Sequence, residues 1–207
     1  MRPGRSGAIS RSESIARSAL GLAGALERLV AAVGRWAGWL LPLLAALIVA
    51  DVVLRRWFVI GSVKLQELEW HLHGAVFLFA LGYAYLRGAH VRIELLHERV
   101  SPRGKAWVEL LGILLALLPF CLAVLWFGID YAERAFLVGE ASPSPTGLPH
   151  RWIIKSALVA GIVLLALAGF SRLIRVTVYL FGPASLREAS GFAHGEAAAS
   201  HLEEERV

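Results

Sequence analysis

Apolar residues in this chain fall into four long runs, and the run lengths set the prediction. A helix rises about 1.5 Å per residue, so roughly 20 apolar residues are needed to cross about 30 Å of hydrocarbon. The first run covers about 36–54, with its helix starting a turn or two earlier, and the second about 68–86. The third, 110–129, has no charge inside it. The fourth starts near Trp152, crosses over 152–175 and runs on as one long helix to about Phe181. Lys155, Arg172 and Arg175 stand at its two ends, where long stems let the charges reach the interface. The expected fold is an all-α membrane protein with four transmembrane helices in a domain over 29–182.

Tryptophan placement agrees with these ends. Trp36, Trp39, Trp57, Trp70, Trp107, Trp126 and Trp152 all lie at or within about one turn of a span end, where amphipathic rings anchor among headgroups. Composition adds the same message. The chain of 207 residues is 57% apolar and 18% charged, with a mean hydropathy of +0.62. That is too apolar for an ordinary soluble domain, and it leaves room for four crossings plus tails. The single cysteine, Cys121, excludes a disulfide framework.

The net charge of +5 suggests nucleic acid until the basic residues are placed. The N-terminal tail, the loop between spans two and three, and the C-terminal side hold 15 of the 21 lysines and arginines. Arg55, Arg56, Lys64, Arg134, Arg151 and Lys155 make up the opposite face. The positive-inside rule then puts both termini in the cytoplasm. Residues 1–25 resemble a signal peptide only at first sight. Glu27 and Arg28 break the apolar stretch Leu20 to Val33, so the first helix is read as uncleaved. The basic tail, 1–28, is expected to be mobile or an amphipathic helix on the inner leaflet. Residues 183–207 turn to Ala, Gly, Ser and Glu without an apolar period and are expected to be disordered.

Candidate chemistry is sparse. No span carries a charge at mid-depth, where an ion costs about 2.5–3.5 kcal/mol and usually marks function. Asp51 and Arg55 have the i,i+4 spacing of a structural ion pair near the end of span one. His71 and His73 point about 200° apart on a helix and cannot share a metal. Glu67/His71 and Glu69/His73 each offer only two ligands. His90, Glu94 and His97 share a face if helical, but three of the four spans lack the facing histidine that a haem needs. Catalytic signatures such as GxSxG and HExxH are missing. The expectation is no catalytic, metal or cofactor site.

Other features concern packing and partners. His90 to Val100 (HVRIELLHERV) reads as a short amphipathic segment along the inner interface, its arginines meeting lipid phosphate or a protein partner. Ala80, Ala84 and Gly88 recur every four residues, a small-residue seam where another helix can approach. Gly161, four after Ala157, offers the same on span four. Pro42 and Pro119 should kink spans one and three by crowding the carbonyls of Gly38 and Leu115. Pro143, Pro145 and Pro149 favour an extended, ordered crossing over a helix between about 130 and 151.

The order of these features resembles a known family. DVVLRRW (51–57), QELEWHLHGAVFLFALGYAYLRGAHVRIELL (66–96), SPRGKAWVELLG (101–112), LLPF (117–120) and RWIIK (151–155) are similar to the small integral-membrane subunit of tripartite ATP-independent periplasmic (TRAP) transporters. The wording is nearest the branch associated with mannitol or chloroaromatic acids. The resemblance implies a bacterial inner-membrane, multi-pass protein that is not an enzyme. Its partners would be a large multi-span permease, a periplasmic solute-binding protein and membrane lipid. In that family the binding protein captures an organic acid, and the large subunit moves it inward by symport with sodium. The small subunit braces the large one's scaffold and helps dock the binding protein. The implied contacts are Glu67, Glu69 and Trp70 near the outer surface, Ala80, Ala84 and Gly88 along the seam, and His90 and Arg92 near the inner surface. Two other readings make different demands on the sequence. A stand-alone four-helix channel or exporter would need a polar lumen, and a membrane electron carrier would need facing haem ligands.

Overall fold

In the computed structural model the described residues are 4–88 and 101–192, with side chains from residue 11. They form helices without a strand among them. In chain order these are α1 (Gly4–Gly38), α2 (Leu40–Trp57), α3 (Val63–Leu86), α4 (Pro102–Gly112), a π-helical turn (Ile113–Leu117), α5 (Leu118–Leu137), α6 (Trp152–Phe181) and a 3₁₀ turn (Ala184–Leu186). By length and composition, three stretches can cross a membrane: Arg11–Trp57, Pro102–Leu137 and Trp152–Phe181. The expected second span is present as α3, and its 24 residues are long enough. Glu67, Glu69, His71 and His73 occupy its first half, however, and α3 is not among those three stretches.

The first span is not one helix over 36–54. A turn at Trp39 separates α1 from α2, with the Trp39 N–H donating to Trp36 O at 3.0 Å. Pro42 lies three residues beyond and has no N–H to offer Gly38, so the break falls where the backbone ladder loses a rung. The buried positions nevertheless keep one phase through the break. Ala16, Ala23, Val30, Ala37, Leu44 and Asp51 are buried, every seventh residue. The residues three further on, Ala19, Leu26, Val33, Leu40, Leu47 and Leu54, are all half-buried. This is the a/d pattern of a helix packed along a coiled-coil seam.

Ser101 caps α4, accepting from the Gly104 N–H at 3.2 Å, and Pro102 takes the first helical position. Buried residues then recur at Ala106, Ile113, Cys121, Gly128 and Ala135. All steps are seven residues except Ile113 to Cys121, which is eight. The π turn lies inside that step and accommodates the extra residue, so the same face stays inward. It also precedes Pro119 and contains the Leu115 carbonyl that the proline ring would crowd.

The chain divides into two compact units. One comprises Val30–Ala84 and Phe120–Ala166. Its helices meet at glycines: a Cβ on Gly161 would stand 2.7 Å from Leu78 O, and one on Gly82 would stand 2.9 Å from Leu164 O. The exchange holds α3 and α6 backbone to backbone, which any side chain would prevent. The other unit takes its described residues from Met1–Leu29, Tyr85–Pro119 and Leu167–Val207. In its core Ala106, Leu110, Val176 and Phe192 pack together. A second group joins Ala16, Val178 and Leu186.

Residues 183–192 therefore depart from the tail expected to be disordered from Pro183. Phe192 is buried and stacks on Tyr179 at 5.1 Å between ring centroids, and Arg172 stands over its ring at 5.0 Å. The apolar anchors here, Leu186 and Phe192, are too widely spaced to give a periodic signal. The rest of that tail, and the residues over which an interfacial segment is expected with His90 and Arg92, lie outside the described residues.

Candidate functional site

The most connected polar group in the first unit is Glu67, in the second turn of α3. It is buried, and its carboxylate accepts from the Ser142 hydroxyl and from the Leu148 N–H at 2.7 Å. The Arg151 guanidinium lies 3.6 Å away. The Leu148 N–H and the Ser142 hydroxyl, ahead of the attraction of Arg151, hold the carboxyl below its ordinary value of 4.5 against the opposing effect of burial. One side chain thus fastens both limbs of the loop between α5 and α6 to the start of α3.

The loop has the local chemistry to reach that anchor. Gly139, at φ +59°, ends α5, with its N–H on Phe136 O and the Glu140 N–H on Ala135 O. Those two bonds make a Schellman cap. Ser142 N–H then donates to Leu148 O at 2.9 Å, and Arg151 N–H to Glu140 O at 2.9 Å, which closes the loop on itself. At Gly147 a Cβ would lie 2.2 Å from Ser142 Oγ and 2.8 Å from Glu67 Oε2, so only glycine fits over the carboxylate. Glu140 pairs with Lys155 of α6, whose ammonium also sits 3.7 Å from the Tyr131 ring centre. Phe136 and Trp152 meet edge to face at 5.3 Å across the loop's base.

Beside this anchor is an open cleft of about 360 Å³. Trp70, His71, Tyr131, Arg151 and Lys155 line it together with Leu78, Ile154 and Leu158. His71 donates from Nδ1 to the Glu67 carbonyl at 2.6 Å, which fixes its ring. Both cations of the cleft already face a carboxylate. No nucleophile is paired with a base there, and no group of three or more His, Cys, Asp or Glu could hold a metal among the described residues.

The structure places the remaining sequence candidates apart from one another. Glu69 is half-buried, with Oε1 buried and lacking a hydrogen-bond partner, and Trp70 is 64% exposed. Asp51 accepts from Arg55 Nη2 at 2.5 Å and is buried at the last position of the α1–α2 seam. Ala80 and Ala84 are half-buried. Gly88, at φ +67°, donates to Tyr85 O and terminates α3. The close approach within the unit falls instead on Gly82, a position the four-residue count from Ala80 steps over.

Sequence reasoning missed Ser142, Gly147, Leu148 and Arg151 as partners of Glu67, and Glu140 as the partner of Lys155. The prolines mark an ordered loop, but nothing in the spacing says which carboxylate it seeks. In the other unit, the basic residues near the end of α6 also pair internally. Arg172 Nε donates to Glu109 at 2.5 Å. Arg175 binds Glu27 through two bonds, at 2.5 and 2.7 Å, and the Ser190 carbonyl at 2.8 Å.

A helical protein with three stretches fit to cross a membrane, whose charges hold its own helices and loop together, belongs among integral-membrane components. The chain belongs to the family described as tripartite ATP-independent periplasmic transporters, DctQ component, whose model matches residues 44–178. This is the small-subunit family of TRAP transporters, a transport family of the inner membrane and not an enzyme family. Neither the curated proteins nor the solved structures include a match to the chain.

Proposed function

We propose that this protein braces the large permease subunit of a TRAP transporter and helps dock the periplasmic solute-binding protein, with no transport by itself. The family match over 44–178 carries this reading, because it covers α2 through nearly all of α6. The arrangement of polarity supports it. Lys155, Arg172 and Arg175 at the ends of α6 each pair with a carboxylate of the chain, while Phe77, Phe120, Leu122 and Trp126 are exposed apolar surface. An ion pathway needs the opposite arrangement, with polar groups facing inward.

On this reading α3 is the fourth crossing, both termini are cytoplasmic, and the loop held by Glu67 faces the periplasm. Glu67 presents that loop as an ordered surface to the binding protein, and Glu69 and Trp70 border it. Ala80 and Ala84 offer small-residue surface to the permease, with His90 and Arg92 at the inner side. The cargo is an organic acid taken up by symport, on the mannitol or chloroaromatic-acid branch. Reconstitution tests the brace: uptake should require the large subunit and binding protein, and rise when this chain is added. Organic-acid uptake into liposomes holding this chain alone contradicts it.

A further inference from the structure

The family match begins at residue 44, beyond α1, and α1 has a second face that the fold leaves open. Arg11–Trp57 would extend about 70 Å as helix, more than twice the hydrocarbon thickness. Its first part, 11–29, carries Arg11, Glu13, Arg17, Glu27 and Arg28, too many charges for the hydrocarbon core. Yet Ile15, Leu22 and Leu29 are 66%, 51% and 51% exposed there, seven residues apart and one position before the buried seam. Ser18 and Ala25, both exposed, fall between them. The steps of three and four residues make a second, unfilled a/d line, with large and small residues alternating.

We propose that Arg11–Leu29 docks an acidic α-helix of the large permease along Ile15, Leu22 and Leu29, which rests on the accessory-subunit reading above. Charge identifies the occupant. Arg11, Arg17 and Arg28 are exposed, whereas both carboxylates of the segment turn to the chain itself, Glu13 to Ser185 and Glu27 to Arg175. A second copy of α1 would bring like charges together. An anionic leaflet would satisfy the arginines but favours an apolar face about 100° wide or more, and this line is the narrow kind that fits a helix. The small residues at 18 and 25 let a partner backbone come close.

The test places a photoreactive residue at position 22, and separately at 29, in the full chain co-expressed with its large permease. The expected product is a covalent adduct to an acidic helix of the permease, reduced about tenfold by Arg28→Glu, equivalent to one lost ionic anchor. Adducts to lipid, adducts between two copies of this chain, or no adduct in an intact complex overturn the docking. Failure of the chain to copurify with the permease at all overturns the accessory reading as well, so the two failures are distinct.

Discussion

Glu67 shows how a single carboxylate can order a loop of more than ten residues. Its two hydrogen bonds come from residues 75 and 81 positions away, so they fix both limbs of the loop at one point. Glu67→Gln keeps the shape but presents an amide N–H where one donor already points. The 140–150 loop should then become several-fold more sensitive to protease in detergent. The folded carboxyl is held below 4.5, so its contribution is complete above that value and is lost as pH falls through the lowered one. Protection of the loop should fall at acid pH in the wild type and show no such step in Glu67→Gln. Gly147→Ala, which places a methyl against Ser142 and Glu67, should open the loop at neutral pH too.

At the scale of elements, two backbone devices set how the helices meet. Gly161→Leu should force α6 off Leu78 and cost about 1–3 kcal/mol, read as a lower thermal midpoint in detergent. The π turn makes a sharper case. Deleting Leu115 removes the extra residue of the eight-residue step, so the seam from Ile113 to Cys121 returns to seven and the fold should persist. Deleting Val124 instead rotates Gly128 and Ala135 by about 100° and should abolish cooperative unfolding. The long helices could be read from hydropathy because lipid demands length. The seven-residue seam is also present in the sequence, as Ala16, Ala23, Val30 and Ala37, but small residues carry little hydropathy and do not mark it. The pairing of Glu67 with Ser142 could not be read at all, since it joins residues whose proximity only the tertiary fold creates. Charges behaved likewise: Arg172 and Arg175 look like snorkelling groups in sequence, and the fold gives each a carboxylate.

Across the described residues, Glu67, Glu140, Lys155, Arg172 and Arg175 are paired within the chain, and large apolar side chains such as Phe120 and Trp126 are exposed. Its orientation is open to a direct check: reporters fused at either terminus should be cytoplasmic, and one inserted within 140–148 periplasmic. The central claim is that this chain works only as part of a larger permease. Purifying it in mild detergent from its native membrane, and identifying what accompanies it by mass spectrometry, tests that claim most directly. A large multi-span permease in near-equal amount is the expected companion. Recovery of the chain without any multi-span partner would contradict it.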